Sequence, residues 1–293
     1  MASWRFEAIG THWEIETTVA LPDSARAEVT AEIERFDREW SRFRSDAEVV
    51  RLGREGGSFA SVDARPMLDA YRELSAATGG AVNPLVADSL DALGYDAEYS
   101  LVAGDPVRAP EAWEQDVSWT DADVTASAPV LIDVGALGKG RLVDLVMAVL
   151  ARVPGDLVVD AGGDMRLRGA GVRIGLEHPY DPAKAIGVVE VHDQALCASA
   201  INRRAWGSGL HHVLDARTGM PVRTWAATWA WAPDAMTADA VATALFFDGG
   251  VELAAAWAVE WVRMSTDGRV QRSPGCPAEL FVAAGASHPS ARN

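Results

Sequence analysis

The most pointed chemistry in the 293-residue chain lies in Asp234-Ala-Met-Thr237-Ala-Asp239-Ala-Val-Ala-Thr243, where a carboxylate and a hydroxyl stand four residues apart among apolar neighbours. On a helix Asp239 and Thr243 share a face, and a carboxylate in so apolar a setting needs a partner. Both are hard oxygen donors suited to Mg2+, which takes few protein oxygens and keeps room for water and phosphate. The plain alternative is an Asp near a helix start and a Thr bonded back to its own helix. Asp133 to Gly140 offers a different chemistry, a Gly-rich loop between a strand-like run and a helix, where free amides and the helix dipole can hold an anion. It fits neither a P-loop nor a dinucleotide fingerprint, because Asp133 stands where the first Gly would be and Lys139 is followed by Gly140. Taken alone, such a loop after a strand is more often a tight turn than a phosphate cradle. Lys139 stands out, since all but two of the 26 basic residues are arginine. Asp160-Ala-Gly162-Gly163-Asp164 is a second Gly turn. His211 and His212, if on a strand, face opposite ways, so at most one serves a given site.

These residues need a scaffold, and the composition supplies one: 49% apolar and 23% charged residues describe an ordinary folded chain. The formal charge of −16 argues against a nucleic-acid binder. The two cysteines, Cys197 and Cys276, are too few for a disulfide framework and read as free thiols. No apolar run approaches a membrane span and the start lacks a signal-like core, so the expected location is cytoplasmic, or that of a mature form already trimmed. Alternating residues 10 to 19 predict a strand. Asp23 then reads as the N-cap of a helix whose buried face carries Val29, Ile33, Phe36, Trp40 and Phe43. Ser45 and Glu48 have capping-box spacing for a short helix ending at Gly53, and residues 66 to 78 predict another. Residues 96 to 129 read as loops and short strands. Further on come a strand at Val130 to Val134 and a helix from Arg141 to Arg152. Short strands follow at 157 to 160, 165 to 167, 172 to 176 and 187 to 191, then helices near 236 to 247 and 250 to 257. A hairpin at Asp267-Gly268 joins two closing strands. Helices and antiparallel strands in blocks give an α+β expectation. Residues 287 to 293, small and polar, predict a flexible tail.

Taken in order, the pieces resemble the ApbE family of FAD:protein FMN transferases. Ala8-Ile-Gly10-Thr11 is similar to the family's M-G-T opening, and Trp40-Ser41-Arg-Phe43-Arg-Ser-Asp46-Ala-Glu48 to its F-S-x-[FY]-x-x-D-S-E. Gly80-Ala-Val-Asn83-Pro84 resembles the stretch after the second helix. Asp133 to Gly140 matches D-x-G-x-x-K-G, with Asp144 following on the helix, and Gly162-Gly163-Asp164 matches the G-G-D turn. Gly175-Leu-Glu177-His-Pro179 and Ala198-Ser199 match further short segments. His212-Val-Leu-Asp215-Ala-Arg-Thr218-Gly219-Met-Pro221 and Ala238-Asp239-Ala-Val-Ala-Thr243 match H-x-x-D-P-x-T-G-x-P and A-D-A-x-x-T. Ile9, Asn83, Ala216 and Ala242 depart from the family's usual Met, Asp, Pro and the acid found in some members.

The resemblance implies one α+β unit of two lobes, mixed and antiparallel sheets packed with helices, over residues 1 to 286. It implies Mg2+ ligands at Asp239, Thr243 and the Ala136 carbonyl. Asp133 and Lys139 would lie against FAD, with Ile9, Phe43, Ala81, Val82 and Asn83 around its rings and His212 near the reacting phosphate. The implied reaction moves FMN from FAD to a Thr or Ser hydroxyl of an acceptor protein and releases AMP, His212 accepting or orienting the hydroxyl proton near its ordinary pKa. Two other readings share the residues: a Mg2+-dependent FAD pyrophosphatase giving FMN and AMP, and a non-catalytic FAD-binding or carrier protein.

Overall fold

The computed structural model describes residues 1–281, so the expected tail at 287 to 293 lies outside the described residues. Its backbone is an eight-stranded antiparallel sheet whose strands lie side by side in chain order: Ala2–Ala8, Thr11–Thr17, Leu157–Ala161, Asp164–Arg168, Ala195–Ala200, Trp225–Ala232, Glu260–Ser265 and Val270–Arg272. Neighbouring strands meet through hairpins or through longer insertions that carry the helices or the strands of smaller sheets. Those helices are α1 (Asp23–Trp40), α2 (Glu48–Glu55), α3 (Ala64–Ala77), α4 (Ala87–Ala92), α5 (Gly138–Val149), α6 (Ala235–Ala244) and α7 (Gly250–Ala256).

The sheet is covered on both faces. Ala195, Cys197, Ala230, Ala232 and Trp261 join the main core with the apolar sides of the helices. From the same strands, Leu196, Trp229, Trp231 and Val262 join a second core against a three-stranded sheet containing Val172–His178 and Asp181–Val191. Double coverage explains why Trp225–Ala232 is a nearly unbroken apolar run rather than an alternating one. A smaller three-stranded sheet, Gly57–Ala60 with Asp123–Ala126 and Val117–Trp119, closes the helical side.

Several sequence expectations shift. The strand Ala2–Ala8 has no counterpart in the sequence reading; it is an edge strand in which Trp4 and Phe6 are only partly covered. Helix α1 stops at Trp40, and Phe43 lies beyond it in the connection to α2. Neither Asp23 nor Ser45 caps a helix: α1 and α2 follow Pro22 and Ala47 without a side-chain cap. Residues 130 to 134 belong to no strand. Asp133 instead donates its N–H to Pro84 O at 2.7 Å and Val130 to Leu52 O at 3.4 Å, isolated bonds that tie the loop to the α3–α4 connection and to α2. Helix α5 starts at Gly138, so the Gly loop runs directly into its first turn.

Candidate active site

Helices α5 and α6 set the site through one close approach. A Cβ on Gly140 would fall 2.2 Å from Ala235 O and 2.8 Å from Asp239 Cβ, so the two helices touch at a position that only glycine allows. Asp144 on α5 fixes the register by accepting the N–H groups of Ala235 and Met236, both at 2.9 Å, and Asp234 accepts that of Thr237 at 2.8 Å. The first turn of α6 therefore has its free donors matched by carboxylates, where the helix dipole favours them. Burial raises the Asp144 carboxyl above its ordinary range, against the pull of those two amides and of Arg166.

One consequence falls on a backbone oxygen. In a continuing helix Gly140 would donate to the Ala136 carbonyl, yet its N–H goes to Asp239 Oδ2 at 2.9 Å. The Ala136 carbonyl is left without a hydrogen bond among the described residues, on the wall of a cavity of about 360 Å3. Thr243 lines the same cavity, and its hydroxyl is not bonded back to its helix, unlike that of Thr78 on Leu74 O. Asp239, 3% exposed, stands behind these two and is not itself part of the cavity wall. Burial pushes its carboxyl up, opposed by Lys139 and by the Gly140 amide. A carbonyl and a hydroxyl without hydrogen bonds among the described residues, with a carboxylate that gives only Oδ2 to the Gly140 N–H, form a hard-oxygen set whose chemistry fits Mg2+.

Of the other residues singled out in the sequence, Ile9, Phe43, Ala81, Val82, Asn83, Asp133, Lys139 and His212 all border this cavity. Ile9 sits with Gly10 at the tip of the first hairpin at φ 47°, a left-handed conformation costly for a β-branched side chain. Phe43 stacks on Tyr99 with centroids 5.2 Å apart, and Tyr95 meets Phe43 edge-on at 5.5 Å, making an aromatic wall. Asn83 uses both ends of its amide on backbone: Nδ2 donates to Pro110 O and Oδ1 accepts from Leu85 N–H, each at 2.8 Å. A carboxylate here could not donate to Pro110, which gives the departure from Asp a structural reason. Asp133 is held at both oxygens, by the Gly135 N–H and by Arg42 Nε, each at 2.6 Å.

Lys139 is engaged by the wholly buried carboxylate of Asp164, whose Oδ1 has no partner among the described residues. That contact is what the G-G-D turn contributes. Gly162 and Gly163 do not border the cavity; Gly162 instead lets the turn approach Thr11. The two histidines divide as their spacing requires. His211 bonds Val222 O through Nε2 at 2.9 Å, while His212 borders the cavity with Nδ1 buried and without a partner among the described residues. The expectation of a near-neutral His212 is corrected: burial, then Arg204, His211 and Lys139, push its pKa down to about 3. Tyr99 and Arg204 also line the cavity and were not singled out, because each lies in an irregular connection without a spacing signal; Arg42 and Ser199, which line it too, fall inside segments quoted for the resemblance but were given no role there.

The family model described as "ApbE family" matches residues 9–263. A relative from Rhodobacter capsulatus called FAD:protein FMN transferase is 26% identical, covering 96% of this chain and 58% of its own length. Another of that name from Treponema pallidum is 27% identical over 77% of this chain and 72% of its own. The chain thus spans little more than half of the first relative. Among solved structures, an ApbE protein of Thermotoga maritima superposes with a TM-score of 0.79 at 22% identity, covering 93% of this chain and 97% of that one. The flavin transferase ApbE of Vibrio cholerae superposes at 0.74 with 20% identity and the same coverage. At such identities the structures speak for the fold: mixed helix and antiparallel sheet, as the α+β reading had it.

Proposed function

This chain belongs to the ApbE family, and from that premise we propose that it is a FAD:protein FMN transferase acting on a Thr or Ser hydroxyl of an acceptor protein. The observation that carries the proposal is the cavity itself, which brings an aromatic wall and a wall of hard oxygens and cations to one space. The first suits flat rings and the second a pyrophosphate. A flavin dinucleotide presents both.

In this reading the rings of FAD lie along Phe43, Tyr99 and Ile9, with the Ala81 to Asn83 turn and the clamped Asp133 as the fixed polar edge. Asp239, Thr243 and the Ala136 carbonyl would hold Mg2+, which supplies charge neutralisation at the pyrophosphate when bound. The acceptor hydroxyl attacks the phosphorus on the FMN side, the bond to the bridging oxygen breaks, and AMP leaves. His212, neutral at working pH, accepts a hydrogen bond from the attacking hydroxyl and orients it; a histidine titrating near 3 is too weak a base to store the proton. Product accounting tests the proposal. With FAD, Mg2+ and an acceptor bearing an exposed Thr or Ser segment, AMP released in step with protein-bound flavin supports transfer. AMP matched by free FMN means a pyrophosphatase, and unchanged bound FAD a carrier; either overturns the transferase reading.

A further inference from the structure

The cations around the cavity are not equally available to a ligand. Arg42 is paired with Asp91 and Asp133, Arg44 with Glu34, Asp37 and Asp46, and Lys139 with Asp164. Each of these charges is already balanced by carboxylates of a chain that carries −16 overall. Arg204 differs: half-buried on the cavity wall, it makes no side-chain hydrogen bond or ion pair among the described residues, whereas its neighbour Arg203 pairs with Glu177 at 3.2 Å. Its position is tied to the reacting region, because its carbonyl accepts the His212 N–H at 3.2 Å. Its charge is felt at His212 and at Asp239.

We propose that Arg204 is the residue that binds the pyrophosphate of the dinucleotide and takes up the charge developing on the departing phosphate. The assignment rests on reading the cavity as a FAD site. A guanidinium offers several N–H donors in a planar fork that matches phosphate oxygens, and one without a carboxylate partner keeps its full charge for them. During transfer a bond forms between the acceptor oxygen and the FMN-side phosphorus. The bond from that phosphorus to the bridging oxygen breaks, its electron pair leaves on AMP, and the hydroxyl proton passes to water. The negative charge grows on the AMP phosphate, and stabilising growing charge is where a preorganised cation acts on rate as well as on binding.

The experiment compares FAD binding, followed by quenching of flavin fluorescence, in the intact protein and in Arg204→Gln, Arg204→Lys and Arg203→Gln. Loss of a charge-assisted contact predicts a Kd for FAD at least about tenfold higher in Arg204→Gln. Arg204→Lys should fall between, Arg203→Gln should match the parent, and the thermal midpoints should coincide. An Arg204→Gln protein that binds FAD within about twofold of the parent overturns the assignment. Binding needs no acceptor, so a parent protein that binds FAD without modifying any acceptor contradicts the transferase reading while leaving this test intact. A parent that does not bind FAD overturns both.

Discussion

Thr243 and His212 make the residue-scale claims testable. Among the described residues the Thr243 hydroxyl and the Ala136 carbonyl, on the wall of one cavity, have no hydrogen-bond partner, which leaves both for a group that enters the cavity. Thr243→Ala should therefore fold normally yet raise the Mg2+ concentration for half-maximal turnover by about tenfold or more, as loss of a ligand does. An unchanged Mg2+ titration would remove Thr243 from the metal site. His212 bears on pH. With its pKa pushed down to about 3, it stays neutral throughout the physiological range. The rate profile between pH 5 and 8 should then carry no limb near the ordinary histidine value, and a limb lost in His212→Gln would contradict this. The same shift has a stability sign. Between the unfolded value near 6.5 and the folded value near 3 the unfolded state binds more protons, so stability falls as pH falls through that window. Urea midpoints from pH 7 to 4 should decline less steeply in His212→Gln.

At the scale of elements, the site depends on two helices meeting at one glycine. Gly140→Ala would place a methyl carbon against Ala235 O and Asp239 Cβ. Forced separation of α5 and α6 should cost about 1–3 kcal/mol in urea unfolding, and turnover should fall as the Ala136 carbonyl and Thr243 lose their mutual placement. Unaltered stability would mean that the contact is not as close as described. What was legible in the sequence follows the same division. Asp239 and Thr243 could be paired from spacing alone because a helix places residues four apart on one face. Helices α1, α3 and α6 and the closing hairpin could be read from periodicity and turn residues. Asp144 could be placed on α5, but its grip on the first turn of α6 joins residues more than ninety positions apart, and no local pattern encodes that. Residues 130 to 134 read as a strand because they are mostly apolar, yet single bonds to helix α2 and to the α3–α4 connection, not a ladder, hold them. Arg204 escaped notice for a related reason: its distinction is a missing partner, which only the folded arrangement reveals.

For the whole molecule, the site is an island of hard donors and cations in a strongly acidic protein. A charge of −16 repels a dianionic pyrophosphate at distances beyond the reach of Arg204 and Lys139. Salt screens that long-range term first, since the Debye length is about 10 Å at 0.1 M. FAD association should therefore speed up as ionic strength rises from 10 to about 150 mM; a rate that falls would mean that the local cations dominate the approach. The sheet, running in chain order, brings the first hairpin, the Gly loop, the His212 segment and α6 to one cavity from opposite ends of the sequence. This is why short motifs spread over the chain act as one site. The most direct test of the account is the intact mass of an acceptor protein with an exposed Thr or Ser segment after incubation with this protein, FAD and Mg2+. The account predicts a gain equal to one FMN moiety linked through phosphate, absent without Mg2+ and, at limiting Mg2+, reduced in Thr243→Ala; an acceptor of unchanged mass while FAD is consumed to free FMN would contradict it.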